Sequence, residues 1–464
     1  MFENILGQAG IGQLSRDIAA GALAPSLLFS GPPASGKGTA GLELARILSC
    51  ENPGAPWNCI CPACTHHRTL THPDLLLLGP RSFSPEIAAA AAAYNREPES
   101  VSARLLFVRS VRKLLARFSP VLWEDDPKQG KLSSAQQALE EDLDEIALTF
   151  SPPPGSGGEP VKAEALKKIC GRIIKEALKL EAEGIGKTVP IAQLRRAAYW
   201  GRLAPSGRHK LLMIENAHRM QEEARNSILK LLEEPPLTLT ILLTCPQPEA
   251  LIPTILSRLR PYRFYPRDQE AEEEVIRRVF REKAGESPPE GALPPGPAAS
   301  GASRIQGYLD SFLPVTAEDL FPLAACFASS VTAASLAEIR RKGGPLPEEL
   351  AVLDRHTAAI AEQGGRENGG DIREVLAGTL SGAQNFEIPG LFSRFLGLLL
   401  TLVSAALRED PPGPEKIALG DIWLRAVREA ETAAGTYNQR PPVVLDRLFT
   451  ELRQAMTAYA LFSG

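Results

Sequence analysis

Ser26-Leu27-Leu28-Phe29-Ser30-Gly31-Pro32-Pro33-Ala34-Ser35-Gly36-Lys37-Gly38-Thr39 runs from an apolar strand through a glycine-rich turn into a helical pattern that continues to Ser49. Glycines in such a turn let successive backbone N–H groups face an anion. The helix N-terminus adds a favourable dipole, and a lysine at its start reaches terminal phosphates. Gly31, Gly36, Lys37, Gly38 and Thr39 are therefore the candidate phosphate-binding residues. Gly38 stands directly after the lysine, where a hydroxyl is usual, and Thr39 comes one place later, which weakens the case for direct ligation of Mg²⁺.

Outward from this loop, helix and strand signals alternate. A helix is expected over residues 11–20, and strands over residues 75–78, 210–214 and 237–244. Apolar runs of this length between helical patterns imply an α/β fold, a parallel sheet covered on both faces, with the core ending near Pro266. Residues 81–184 have a different character: an alanine run at 88–93, helical periodicity over 105–118 and 135–148, then the joint Ser151-Pro152-Pro153-Pro154-Gly155-Ser156-Gly157-Gly158. They read as a helical insertion. Residues 286–303 are rich in Pro, Gly, Ser and Ala and read as a linker or surface loop. From Arg304 onward the strong patterns are helical, over 389–407, 415–434 and 444–461.

Length and composition set the bounds. The chain has 464 residues, enough for about three domains at roughly 150 residues each. With 44% hydrophobic and 23% charged residues it has ordinary globular usage. The longest apolar stretch, 391–407, is interrupted by Ser393, Arg394 and Ser404 and is shorter than the ~20 residues a membrane span needs. No basic segment leads into an apolar run at the N-terminus, so a cytoplasmic protein without membrane contact is expected. A formal net charge of −4 provides no overall basic field, so any DNA contact is local or shared with partners.

Two further groups carry chemistry. The strand at 210–214 runs into Glu215-Asn216. In phosphoryl-transfer sites an acidic pair here orients Mg²⁺ and activates water. Glu215 can hold a metal through water, whereas Asn216 is an amide and cannot serve as a base, so hydrolysis is expected to be weak or absent. Seven cysteines without a secretory signal argue against a disulfide framework. Four of them, Cys50, Cys59, Cys61 and Cys64, are spaced C-x8-C-x-C-x2-C, which suits a closed, structural tetrahedral Zn²⁺ site. The one-residue gap strains simultaneous ligation and leaves His67 as a substitute ligand.

Asn226-Ser227-Ile228-Leu229-Lys230-Leu231-Leu232-Glu233-Glu234-Pro235-Pro236 and Pro253-Thr254-Ile255-Leu256-Ser257-Arg258-Leu259 resemble signature segments of bacterial DNA polymerase III clamp-loader subunits. The second segment matches their Ser-Arg-Cys motif with Leu259 in place of the cysteine. His72-Pro73-Asp74 and Val189-Pro190-Ile191-Ala192-Gln193-Leu194-Arg195 resemble the delta-prime type, related to gamma/tau. The opening Ile5-Leu6-Gly7-Gln8 fits either. The resemblance covers residues 1–80 and 185–266, and the C-terminal part in outline, including Tyr437-Asn438-Gln439 before Leu445-Asp446-Arg447-Leu448-Phe449. The insertion has no counterpart in it.

The resemblance implies an AAA+ phosphate-loop core over 1–266 with a zinc module at 50–67, a helical lid over 267–343 and an all-helical collar over 344–464. It also implies that Arg258 acts in trans as an arginine finger on a neighbour's ATP and that Glu215 is the metal-orienting acid. The implied partners are gamma/tau and delta subunits in a ring, the sliding clamp, and primed DNA through the assembled complex. ATP, with Mg²⁺, is the ligand such a loop takes. Arg304 is the nearest candidate for a lid sensor arginine. Three other readings stand beside this one: an active gamma/tau-type motor, a nucleotide kinase suggested by residues 34–39, and a zinc-dependent nucleic-acid adaptor.

Overall fold

The computed structural model describes residues 1–124, 126–149, 163–186, 188–246, 248–281, 304–310, 312, 317–363, 388–408, 413–435 and 439–462. They divide into two compact units, residues 1–281 with 304–312, and residues 317–462.

The first unit is built on a five-stranded parallel sheet in the order β2-β3-β4-β1-β5. Its strands are β1 (Ser26–Ser30), β2 (Leu75–Leu78), β3 (Lys210–Ile214), β4 (Leu239–Cys245) and β5 (Arg260–Arg263). Around them lie α1 (Ala9–Ala19), α2 (Lys37–Ser49), α3 (Pro62–Thr69), α4 (Ser84–Arg96), α5 (Val101–Leu115), α6 (Pro120–Trp123), α7 (Gln129–Thr149), α8 (Ala163–Gly184), α9 (Ile191–Arg202), α10 (Glu222–Glu233), α11 (Pro253–Leu256), α12 (Gln269–Phe280) and α13 (Arg304–Asp310). The central strands are apolar at successive positions because both faces are covered. Leu28, Leu76, Leu212, Ile214 and Leu243 face one core, and Leu27, Phe29, Leu77, Met213 and Leu242 face the other. This is the α/β phosphate-loop core with a helical C-terminal part expected from the sequence. The strand not foreseen is β5, which reads Arg-Pro-Tyr-Arg and buries only Tyr262. It lies at the sheet edge beside β1, where a proline costs no ladder bond to a second neighbour.

Helices α4 to α8 occupy the expected insertion, yet they do not stand apart from the sheet. Phe83, Ile87, Phe107, Val111, Leu139 and Ile173 share one continuous core with Leu76 and Leu78 of β2. The joint expected at 151–158 and the linker at 286–303 lie outside the described residues, as do Tyr437 and Asn438.

The second unit comprises α14 (Ala317–Arg341), α15 (Glu348–Gln363), α16 (Ile388–Ala406), α17 (Pro414–Gly435) and α18 (Pro441–Phe462). They enclose Phe327, Val331, Leu353, Phe395, Trp423 and Leu452. The core starts at Leu320, so the boundary expected at 343/344 falls inside this bundle. Gly343, with φ of +69°, is the turn between two helices that pack together, α14 and α15. Residues Leu320–Arg341 are long and apolar enough to cross a membrane by composition. Leu320, Leu323, Phe327 and Val331 are nevertheless fully buried against neighbouring helices.

His72-Pro73-Asp74 has a structural task. The buried Asp74 carboxylate accepts the N–H groups of Ser206 (2.9 Å) and Gly207 (2.6 Å), fixing the turn that feeds β3. Asp74→Ala leaves both donors without an acceptor. Ser206 and Gly207 are exposed, so water meets part of the loss; with hydrogen bonds to a charged group worth ~1.5–3 kcal/mol, the α/β unit is expected to lose about 1–3 kcal/mol, read as an earlier transition in urea unfolding followed by circular dichroism.

Candidate functional site

The loop after β1 has the geometry its sequence requires. Gly36 takes φ of +95° at the N-cap of α2, a left-handed conformation that glycine adopts without strain. Lys37 folds back over the loop: its Nζ donates to the carbonyls of Gly31 and Pro32, both at 2.5 Å, and to Ser35 Oγ at 3.3 Å. Burial lowers the Lys37 ammonium to about 8, against the opposing pull of Cys245 and Glu215. Thr39 lies in the first turn of α2. The loop is also held from outside by Arg267, which the sequence reading did not single out. Its guanidinium donates to the carbonyls of Ala34 (2.6 Å) and Leu6 (3.1 Å).

At the end of β3, Glu215 is buried and accepts from two guanidiniums, Arg81 Nη1 at 3.0 Å and Arg117 Nη2. Arg81 Nη2 continues to Glu86 at 2.5 Å, and Glu86 in turn accepts from Lys113. Burial pushes the Glu215 carboxyl up, but Arg81 and Arg117 outweigh it and leave the group below the ordinary carboxylate range. Asn216 adopts φ of +51°, and its amide Nδ2 donates to the Pro80 carbonyl at 2.7 Å. A Cβ placed on Gly38 would lie 2.9 Å from Glu215 Oε1 and 3.2 Å from Arg81 Nη1. A serine or threonine at the position after the lysine would therefore require the ends of these two side chains to shift.

These groups do not fit a divalent metal. The position after the lysine carries no hydroxyl, the carboxylate is engaged by two cations, and the following amide is spent on a backbone carbonyl. No reaction step through Mg²⁺ follows from them. The sequence points to Glu215 and Asn216 at this strand end but not to Arg81 and Arg117, because isolated arginines carry no periodic signal.

The cysteines fit a metal well. The Sγ atoms of Cys50, Cys59, Cys61 and Cys64 lie within 4.8 Å of one another, all buried, with Cys50 and Cys59 at 3.6 Å. Ligands at ~2.3 Å on a tetrahedron are separated by about 3.8 Å. The one-residue gap thus does not prevent convergence, because Cys61 caps α3 and turns its sulfur back toward Cys64. Donors surround the sulfurs: Asn52 Nδ2 to Cys59 (3.0 Å), Arg46 Nη1 to Cys64 (3.1 Å) and the Cys61 N–H to Cys59 (3.5 Å). That N–H holds the Cys59 thiol down at about 6, whereas burial pushes Cys50 up. Such outer donors orient sulfur ligands and offset their charge. His67 is not one of this group. Its ring stacks on His72 at 4.1 Å, and burial depresses it to about 2.

Arg258 follows α11 and pairs with Glu233 Oε1 at 2.5 Å and the Thr254 carbonyl at 2.5 Å, its side chain one-third exposed. Leu259 beside it is buried in the core. Arg304 donates its backbone N–H to Glu272 and its guanidinium to Glu273, tying α13 to α12.

Residues 166–268 match the family model described as DNA polymerase III, delta subunit. This stretch is therefore similar to that family's domain. It contains Glu215, Asn216, Arg258 and Arg267, and leaves the Lys37 loop and the four clustered cysteines outside. Over 89 residues the chain is 29% identical to DNA polymerase III subunit gamma/tau of Mycobacterium bovis and of Mycobacterium tuberculosis, covering 19% of this chain and 15% of each relative. The chain thus aligns with about 15% of the length of these curated relatives. A solved structure, a gamma subunit-related protein of DNA polymerase III from Thermotoga maritima, is matched over 58% of this chain and 81% of that one, at 18% identity and a TM-score of 0.27.

The buried ion pairs yield a test. Glu215→Ala leaves Arg117 buried without its carboxylate, and breaking such a pair costs roughly 3–5 kcal/mol. Because the folded carboxyl titrates below its ordinary value near 4.5, the pair's contribution is complete above about pH 4.5 and is lost as pH falls through the folded value. Urea midpoints of wild type and variant are expected to converge on acidification and to stay apart at neutral pH.

Proposed function

We propose that this chain is a subunit of a bacterial replicative clamp loader, of the delta-prime type, which contributes Arg258 to a neighbour's ATP site and hydrolyses little or no ATP itself. The observation that carries the reading is the contrast, within residues 166–268, between Arg258 and the acidic strand end at Glu215 and Asn216. Arg258 is partly exposed on a surface pair, whereas Glu215 and Asn216 are consumed by internal contacts. A charge lent across a subunit boundary has to be accessible, and a hydrolytic centre needs a free carboxylate.

In this reading the protein works in the cytoplasm within a hetero-oligomeric ring with gamma/tau and delta subunits. The ring acts on the sliding clamp and reaches primed DNA as a whole. The helical bundle from Leu320 onward serves as the collar, and α12 and α13 belong to the lid. The four cysteines hold structural Zn²⁺, closed to water by four sulfur ligands. The match to gamma/tau relatives favours a second reading, an active motor subunit, which Asn216 in place of a base opposes.

Two outcomes check this. In a loader reassembled with Arg258→Ala, clamp- and DNA-stimulated ATP turnover is expected to fall about tenfold or more, short of the ~10³–10⁵ that a finger supplies to a single isolated site. Unchanged turnover sinks the trans role, and brisk hydrolysis by the purified chain that Lys37→Ala abolishes selects the motor reading. The purified chain is also expected to carry zinc in equimolar amount by atomic emission, with Cys61→Ser losing most of it.

A further inference from the structure

We propose that the cavity between the carboxyl end of β2 and the start of α9 binds one small inorganic anion, held by the Arg117 guanidinium and by the uncapped backbone N–H groups that open α9. The site needs neither Arg258 nor a partner subunit.

The cavity has a volume of about 30 Å³, and its walls include Leu78, Arg117, Trp123, Thr188, Pro190 and Gln193. No residue that lines it is acidic. Arg117 follows α5 and reaches the cavity from the insertion, with its side chain only 4% exposed. Nη2 is taken by Glu215, a carboxylate that Arg81 shares. Nε and Nη1 are buried and meet no protein acceptor. The guanidinium is fixed in place, since the Arg117 carbonyl accepts from Trp123 Nε1 at 2.8 Å and its Cζ lies 5.4 Å from the centre of the Phe83 ring.

α9 meets the same cavity with its positive end. It is a helix of 12 residues with Pro190 at the N-cap, no side-chain cap and no acidic residue in its first turn. Its hydrogen-bond ladder begins with the Leu194 N–H on the Pro190 carbonyl, which leaves the N–H groups of Ile191, Ala192 and Gln193 without an intrahelical acceptor. The dipole of such a helix start favours negative charge, and so does a guanidinium with two free N–H edges. Both converge on one space that offers no carboxylate. Leaving buried donors unmet is costly, and a single anion satisfies the two sets together.

Size narrows the ligand. One water needs ~10–15 Å³, so the cavity has room for about two, which suits a halide or one compact oxyanion and excludes a nucleotide. Thr188 and Pro190 are exposed at its rim, giving an ion a way in from solvent. Bound there, the ion joins Arg117 of the insertion to α9, and the stability of the α/β unit becomes dependent on anion concentration.

The test is urea unfolding of the full chain, followed by circular dichroism, with chloride or phosphate raised stepwise against gluconate at constant ionic strength. Gluconate is too large for the cavity. The midpoint of the α/β transition is expected to rise and level off, as saturable binding to the folded state requires. The ion giving the larger shift identifies the ligand as halide or oxyanion. A midpoint flat in both ions assigns the Arg117 donors to water and overturns the proposal, as does a rise that never saturates. Gln193→Glu places a carboxylate in the first turn of α9 at unchanged size, a favourable position for an acid. That variant is expected to be more stable than wild type in gluconate and to lose most of the anion-dependent shift; retention of the full wild-type shift overturns the placement. Arg117→Met is expected to lose the shift as well, and if it fails to fold, Gln193→Glu decides alone. The Arg258 assay and this titration share no residue, so the two readings fall separately.

Discussion

A carboxylate at the end of a buried parallel strand has no water to screen it, and Glu215 persists there ionised only because two guanidiniums reach it. Each of those arginines has to be brought from outside the sheet. Arg81 follows β2 directly, but Arg117 sits in the short 3-10 turn after α5, so it arrives only when α4 and α5 have packed on β2. The ion pair therefore makes the insertion a condition of the sheet's own electrostatics. This agrees with the shared core of Phe83, Phe107, Leu76 and Leu78: apolar packing and charge pairing demand the same arrangement of the chain.

One helix joins the two chemical centres of the α/β unit. α2 starts at Lys37 and ends at Ser49, immediately before Cys50, a span of about 20 Å at ~1.5 Å per residue. Arg46 in its last turn is buried, is paired with Glu43, and donates to Cys64 Sγ and to the carbonyls of Ala55 and Pro56. A guanidinium so placed offsets the negative charge that metal-bound thiolates carry. It also anchors the cysteine loop to the helix whose other end bounds the phosphate loop, so the two are held by one rigid element.

What the sequence made legible was whatever depends on local chemistry. The runs at 26–30, 75–78 and 210–214 became strands at those residues because a strand buried on both faces must be apolar at every position. The cysteine cluster was legible because its ligands lie within fifteen residues of one another. Less visible was anything set by contacts between distant parts of the chain. Arg117 and Glu215 are 98 residues apart, and Arg267 lies 233 residues from the loop carbonyl it holds; no spacing rule connects such pairs. β5 was hidden because an edge strand needs one buried side chain, not a run. The boundary at 343/344 failed because a glycine turn inside a helical hairpin and a glycine joint between domains look alike in sequence.

The two arginine settings differ in how readily they can change. The pair of Arg258 with Glu233 is half in water, with side chains 32% and 48% exposed, and such pairs are worth ~0–1 kcal/mol. Exchanging Glu233 for a more highly charged phosphate therefore costs little. Arg117 with Glu215, at 4% and 9% exposure, has no such freedom, since releasing it strands a charge in the interior. The same side-chain chemistry thus gives one permanent contact and one transferable one, and burial alone decides which. An arginine that gives up its own carboxylate to serve an incoming ligand has to be of the second kind, and of the two only Arg258 is.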